Sequence, residues 1–249
     1  MMKKILMISG LAAVVCGLQA KVRLPQILGD NMILQQNTEA RLWGWAEPGK
    51  TVTVTTSWNT AVYTVKAAND GRWLVKVKTP AASYQPLSIT FNDGESLTLN
   101  NILAGEVWVC AGQSKMEMPV KGFGNCPVEG YNQEIIQAND YQGVHFVKIP
   151  SVMSTKPLND AQCHWEVVSP QTVGEASATG YFFAQTVNKA LNIPVHMRHF
   201  FRITTVIQTF CRHTTTRTKM RHHTMPAHAL HRIHQFNGIM TLTTALQTV

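Results

Sequence analysis

Alternation of apolar and polar side chains between residues 51 and 99 is the feature that most restricts the fold of this chain. The alternating segments are residues 51–55, 61–65, 73–78 and 97–99. A period of two is typical of strands that bury one face. Turn sequences such as Asn69-Asp70-Gly71 separate the segments, and no helical stretch lies between them. This pattern predicts a small antiparallel β-sandwich over residues 21–103.

The predicted sandwich contains four tryptophans, which allow two interpretations. They are Trp43, Trp45, Trp58 and Trp73. Large aromatic side chains are typical of the core of a small domain, and we favour this interpretation. The alternative is a non-catalytic carbohydrate-binding protein, because the flat face of an aromatic ring suits the apolar face of a sugar.

The pattern changes near residue 104. Residues 106–110 form an apolar run without polar alternation, as expected for a parallel strand whose two faces are both covered. Residues 176–192 carry apolar side chains at helical spacing, and Pro194 follows them. Between these two segments we predict a long irregular stretch, and residues 193–195 begin a further strand. Residues 104–195 are thus predicted to form the first units of an open α/β sheet.

A Gly-Gln-Ser turn follows the apolar strand, at the carboxyl end where open α/β sheets bind ligands. Gly112 permits a tight turn, and Ser114 after it could offer a hydroxyl nucleophile and a backbone N–H for an oxyanion. Serine is also a preferred residue at the start of a helix, so the turn alone leaves a structural role open. A serine nucleophile also needs a base to accept its proton and a carboxylate to orient that base.

Residues 105–120, GEVWVCAGQSKMEMPV, resemble the first signature block of bacterial sialate O-acetylesterases, which belong to the SGNH group of hydrolases. Other segments resemble the same family in the same order, namely residues 24–36, 43–54, 70–80, 165–173 and 177–195. The resemblance implies an esterase that removes O-acetyl groups from sialic acids or other acetylated glycans. It also implies a small β domain ahead of a flavodoxin-like α/β/α domain, and a reaction without a metal or organic cofactor.

The resemblance assigns roles to the residues of the turn. Ser114 matches the nucleophile and one oxyanion donor, while Gly112 and Gln113 match the residues that support the turn. Lys115 departs from the family pattern, which has asparagine at this position. Because an ammonium cannot accept a hydrogen bond as an amide does, we expect this departure to impair the site.

The sequence after residue 195 does not continue the family pattern. A Gly-Gly turn and a later Asp-x-x-His pair are expected from the resemblance, and neither is present. Residues 196–249 contain eight histidines, twelve threonines, seven basic residues and no acidic residue. Acidic side chains are common in folded domains, so we expect an atypical tail that is out of frame or disordered. The chain is then a truncated esterase, inactive or impaired because the base and its carboxylate are missing.

A third interpretation follows from the missing half of the sheet. Parallel sheets gain little stability until their neighbouring strands and helices are present. The part after residue 103 could then fail to fold and leave only a protease-resistant β fragment.

Histidines elsewhere offer few substitutes for the missing base. His145 and His164 do not belong to an Asp-x-x-His pair, and we expect them to be packing or surface residues. Five histidines of the tail could bind zinc or nickel: His222, His223, His228, His231 and His234. The tail has no carboxylate to orient such ligands, so we predict no metal site.

Residues 1–20 have the pattern of a secretory signal peptide. Lys3 and Lys4 precede an apolar stretch of fourteen residues, and Ala20 precedes the expected cleavage point. We therefore expect a periplasmic or extracellular protein, without a membrane span because no later apolar stretch approaches ~18 residues. Export permits disulfides, but the four remaining cysteines show no C-x-x-C spacing and leave their pairing open.

The formal net charge of +8 is concentrated in the tail. Residues 1–195 carry 15 basic and 14 acidic side chains, whereas residues 196–249 carry seven basic and no acidic side chains. An exported protein seldom meets nucleic acid, so we expect no nucleic-acid partner despite the basic tail. The sequence leaves the oligomeric state open.

Overall fold

The structure is a computed structural model that describes residues 21–112, 114–150, 152, 154–155 and 157–201. The side chains of Ser114 and of residues 199–201 are not among the described atoms. The predicted signal peptide, Gln113 and the tail beyond residue 201 lie outside the described residues.

Seven strands follow one another in the first part of the chain. They are β1 (Ile33–Gln35), β2 (Glu39–Trp45), β3 (Thr51–Thr56), β4 (Val62–Lys66), β5 (Arg72–Lys78), β6 (Ser83–Asn92) and β7 (Ser96–Gly112). One sheet contains β4, β3, β6 and the first half of β7, all antiparallel. The opposite sheet of the sandwich contains β2 and β5. The β-sandwich predicted from the alternation is confirmed.

The sandwich core lies between these two sheets. Leu42, Val54 and Phe91 are fully buried there, and each belongs to the buried half of an alternating strand. The Trp73 ring is also buried and contacts the Phe91 ring with centroids 5.7 Å apart. The interpretation of tryptophan as a core residue therefore holds for Trp73.

β7 is one strand of 17 residues that continues from the sandwich into a second sheet. Its second half pairs in parallel with β10 (Val195–Phe201). Gly105 lies where the two halves meet, and a Cβ on this residue would be only 2.1 Å from the Pro194 carbonyl oxygen. The absence of a side chain thus allows the chain before β10 to approach β7 closely. The predicted division between residues 103 and 104 falls inside this strand and stays a prediction.

The second sheet contains β7, β10, β8 (Val144–Ile149) and β9 (Trp165–Val167), in that order. The first three strands are parallel and β9 is antiparallel to β8. The described helices are α1 (Ser114–Glu117), α2 (Tyr131–Gln137) and α3 (Ala178–Leu191), besides two short 3-10 turns. The predicted combination of a β-sandwich with an α/β sheet is confirmed.

The predicted irregular stretch between the apolar strand and the long helix was wrong, because it contains α2, β8 and β9. β8 has only six residues, which is too short for periodicity to separate a strand from other apolar segments. Its hydrogen bonds are made with β10, which follows it by some fifty residues in the sequence. Strand formation here depends on tertiary pairing rather than on a local pattern.

Both faces of the parallel sheet are covered. On one face, Tyr181 and Val187 of α3 belong to the same buried cluster as Val144, Val195 and Met197. On the other face lies the segment of residues 26–34. One ring nitrogen of each of two buried histidines faces a carbonyl group of this segment: Nδ1 of His145 faces Asn31, and Nδ1 of His196 faces Ile33.

Trp165 connects the second sheet to the sandwich. Its side chain lies in the sandwich core cluster with Val147 and Cys163, and its Nε1–H donates a hydrogen bond of 2.9 Å to the Ile27 carbonyl. The core of the sandwich therefore includes side chains from beyond residue 103. A β fragment that ended at residue 103 would lack these side chains.

Replacing Trp165 by phenylalanine keeps an aromatic ring but leaves the Ile27 carbonyl without its donor. We expect the free energy of unfolding to fall by about 1 kcal/mol. Urea unfolding, followed by fluorescence and by far-UV circular dichroism, measures the change, and both probes should show one coincident transition. Trp58→Phe is the matched control, since its indole N–H bonds the exposed Lys78 carbonyl, which water can satisfy instead. Equal effects of the two substitutions would contradict this prediction.

Candidate active site

The second half of β7 leads directly to the predicted nucleophile turn. Cys110, two residues before the end of this strand, is 1% exposed and faces α3. Burial raises the pKa of the Cys110 thiol to about 12. A thiol with such a pKa is neutral at pH 7 and acts as a small apolar side chain. Cys110 is therefore a core residue.

Ser114 is the first residue of α1, which begins at once after β7 ends at Gly112. A Cβ on Gly112 would lie 2.9 Å from the Cβ of Met116, closer than side chains approach. Gly112 thus allows α1 to fold back against the end of the strand. The supporting role of this residue in the turn stays a prediction. Met116 is buried in the same cluster as Cys110.

The first turn of α3 fixes the position of α1. The Thr179 hydroxyl donates to the Lys115 carbonyl at 3.0 Å, and the Ala178 N–H donates to the Met118 carbonyl at 2.8 Å. The Ser177 hydroxyl lies 3.1 Å from the Met116 sulfur and accepts a hydrogen bond from the Gly180 N–H, capping the helix. Lys115 is exposed beside this junction.

The carboxyl ends of the parallel strands lie at one edge of the sheet. β7 ends at Gly112, β10 at Phe201 and β8 at Ile149. A cavity of about 290 Å³ lies over β8 and β9. Its lining is Phe146, Lys148, Pro150, Gln162, Cys163, His164, Glu166 and Glu175. The β8–β9 side of the sheet therefore carries a cavity with an aromatic side chain and charges of both signs.

Of the residues that line this cavity, sequence reasoning singled out only His164, and it did not assign His164 to a site. Lys148 and Glu166 lie on neighbouring strands, β8 and β9, whose pairing is not encoded in a local pattern. Glu175 forms an ion pair with Lys121, which lies shortly after α1, and this contact depends on the docking of α3. Ser177 lies outside the cavity lining. Its role as the cap of α3 could have been predicted, because a serine before a helical pattern is a common cap.

Neither predicted alternative base lies beside Ser114. His145 is buried on the sheet face opposite α3, and burial lowers the pKa of its imidazole. His164 is 81% exposed and lies 2.8 Å from the Glu166 carboxylate next to β9. Three strand spacings separate β9 from β7, or about 14 Å. The two histidines are packing and surface residues, as predicted.

The described residues contain no group of three His, Cys, Asp or Glu side chains that could hold a metal ion. Within the same residues, Cys110, Cys126 and Cys163 form no disulfide. No helix in the described part of the chain is long and apolar enough to cross a membrane.

The fold of the described residues is similar to that of a known carbohydrate esterase. The structure resembles the crystal structure of a carbohydrate acetylesterase from Xanthomonas citri, with a TM-score of 0.66 and 29% sequence identity. The similarity covers 73% of this chain and 40% of that chain. Residues 25–98 match the family model described as a bacterial Ig domain, which corresponds to the sandwich.

Sequence comparison finds distant relatives with one common name. Sialate O-acetylesterases from Homo sapiens and Mus musculus are 26% and 25% identical to this chain over 191 residues, which is 70% of its length. The chain is thus similar, at distant identity, to sialate O-acetylesterases. It spans 35% of the human relative and 34% of the mouse relative.

Proposed function

We propose that this chain carries the serine nucleophile of a carbohydrate O-acetylesterase that acts on O-acetylated sialic acids or related acetylated glycans. The observation that carries the proposal is the position of Ser114, at the start of α1 and directly after the carboxyl end of β7. Ligands of open α/β sheets bind at this edge. The relatives named as sialate and carbohydrate acetylesterases supply the substrate class.

In the proposed reaction, the Ser114 hydroxyl attacks the carbonyl carbon of the acetyl ester. The bond between this carbon and the sugar oxygen breaks, the sugar oxygen takes up the proton that the serine hydroxyl lost, the sugar leaves with a free hydroxyl, and an acetyl-serine remains. Water then attacks the same carbon, releases acetate and restores the serine hydroxyl. The backbone N–H of Ser114 is proposed to stabilise the negative charge that develops on the carbonyl oxygen.

The proposal includes a strongly impaired turnover. A serine hydroxyl requires a base, and no imidazole of described position lies beside Ser114, since His145 and His164 are held elsewhere. Removing the base from a serine hydrolase can lower turnover by about a million-fold. Export of the chain, on the strength of the pattern of residues 1–20, is a further part of the proposal.

Hydrolysis of p-nitrophenyl acetate by the purified chain, compared with Ser114→Ala, tests the proposal. We expect both proteins to release nitrophenol at the same slow rate. Imidazole added as an external base should then raise the rate of the original chain above that of Ser114→Ala, because only the original chain has a hydroxyl to activate.

Two results would contradict parts of the proposal separately. An esterase rate of the usual size without imidazole, lost in Ser114→Ala, would overturn the impaired turnover and support the nucleophile. Equal rates of the two proteins at all imidazole concentrations would overturn the assignment of Ser114. Lys115→Asn, which restores the residue of the family pattern, serves as the matched variant with an intact serine.

A further inference from the structure

The sheet formed by β2 and β5 has an outer face that points away from the sandwich core. On this face β2 carries Glu39, Arg41, Trp43 and Trp45, and β5 carries Arg72, Leu74, Lys76 and Lys78. The alternate side chains of the same strands, such as Leu42 and Val77, are fully buried in the core. We call these eight outward residues the β2–β5 face.

The β2–β5 face is rich in positive charge. It holds four basic side chains and one acidic side chain. The single acid, Glu39, lies 3.6 Å from Lys76. Asp70 beside the face lies 3.5 Å from Arg72, whose guanidinium also donates a hydrogen bond of 2.9 Å to the exposed Asn159 side chain. These ion pairs join side chains that are all more than half exposed, so they hold their partners weakly. The excess of positive charge favours an anionic ligand.

Trp45 lies at the centre of a row of three side chains across this face. Arg23 precedes β1 and pairs with Trp45 through backbone hydrogen bonds of 2.8 Å, and Arg72 is opposite Trp45 on β5. The Arg23 guanidinium stacks 4.0 Å from the centroid of the Trp45 ring. A stacked guanidinium keeps its N–H groups at its edge, where they can bind a carboxylate through two hydrogen bonds.

We propose that the β2–β5 face binds a carboxylated glycan, with Arg23 and Arg72 contacting the carboxylates and Trp45 contacting the sugar rings. Arginine next to a half-buried indole offers both the charge and the apolar surface that an acidic sugar requires. The choice of a glycan over another polyanion rests on the proposed function. The face belongs to the sandwich, whereas Ser114 lies beyond the far end of β7, so this surface is separate from the candidate active site.

Affinity electrophoresis of the full chain in gels that contain polysialic acid, neutral dextran or single-stranded DNA tests the proposal. We expect retardation by polysialic acid, a smaller or no effect of dextran, and weaker binding at high salt. Arg23→Ala combined with Trp45→Phe should weaken binding to polysialic acid at least tenfold. Lys66→Ala is the matched control, because it removes an exposed cation from β4, outside the face.

The proposal is overturned if DNA retards the chain as strongly as polysialic acid does, or if the double variant binds like the original chain. Circular dichroism of each variant verifies that the fold is retained. Should the double variant unfold, Arg23→Ala alone, which changes only an exposed side chain, must still weaken binding. Ser114→Ala is expected to bind polysialic acid fully, so a failure of the esterase proposal is distinguishable from a failure here.

Discussion

Replacement of Arg198 by methionine should raise the free energy of unfolding by about 2 to 4 kcal/mol. Arg198 lies on β10, the central strand of β7, β10 and β8, and only 6% of its surface is exposed. Its Nε is buried and has no hydrogen-bond partner among the described residues. A buried charge whose hydrogen bonds are incomplete is only partly compensated for the hydration that it loses.

Burial lowers the pKa of the Arg198 guanidinium to about 10. The side chain therefore still carries its charge at pH 7, and the cost of burying that charge is present in full. Methionine keeps an unbranched apolar chain of similar reach but has no charge to desolvate. The stabilisation should appear as a higher midpoint of urea unfolding with an unchanged slope.

Arg72→Met is the control for this substitution, since the Arg72 side chain is 58% exposed. Exposed arginines contribute little to stability, and we expect a change of no more than about 1 kcal/mol. A neutral or destabilising effect of Arg198→Met would mean that the guanidinium is satisfied in solution, and would contradict the prediction.

Lowering the pH from 7 to 5 should destabilise the chain, with His196 as a main contributor. The His196 side chain is fully buried, and its Nε2 has no hydrogen-bond partner within the described structure. Burial first, and then the positive charge of Arg198, hold the pKa of the His196 imidazole well below 6.5. Its edge contact with the Trp165 ring, at 4.0 Å between centroids, leaves no space for hydration.

The sign of the effect follows from the proton count. Below pH 6.5 the unfolded chain protonates this imidazole while the folded chain keeps it neutral, so the unfolded state binds more protons. Stability is therefore full above pH 6.5 and falls as the pH drops toward the folded pKa. The loss is about 1.4 kcal/mol per pH unit for each such imidazole. His145, whose pKa is also lowered by burial, acts in the same direction.

Urea unfolding at several pH values between 5 and 8 measures this dependence. His196→Leu should reduce the slope, and His164→Gln, which changes an exposed imidazole, should leave it unchanged. Arg198→Met should also reduce the slope, because it removes the charge of Arg198, one of the three causes that lower the His196 pKa. A slope that is identical in the original chain and His196→Leu would contradict the assignment.

The sequence predicted those elements whose signal is local. Alternation identified β3 and β5, and helical spacing identified α3 to within two residues at its start and one at its end. The apolar run of residues 106–110 predicted a parallel strand with two covered faces. The structure places Ser114 at the carboxyl end of this strand. In each of these segments, the positions of the apolar residues both mark the element in the sequence and form the face that is buried.

Features that depend on distant pairing were not predictable. β10 is inserted between β7 and β8, which precede it in the chain, and this insertion determines that His196 and Arg198 are buried. The sequence marked residues after 195 as atypical through their composition. It could not indicate that two of them would occupy the centre of a sheet, where apolar side chains are the rule.

The pairing of β7 with β10 also limits how this protein can be recombined. Side chains of a strand alternate between faces, and residues 106–112 of β7 pair with β10 without a register shift. One residue inserted before Cys110 in this half would turn its side chain away from α3. A recombined protein must therefore keep this half of β7 in register with β10.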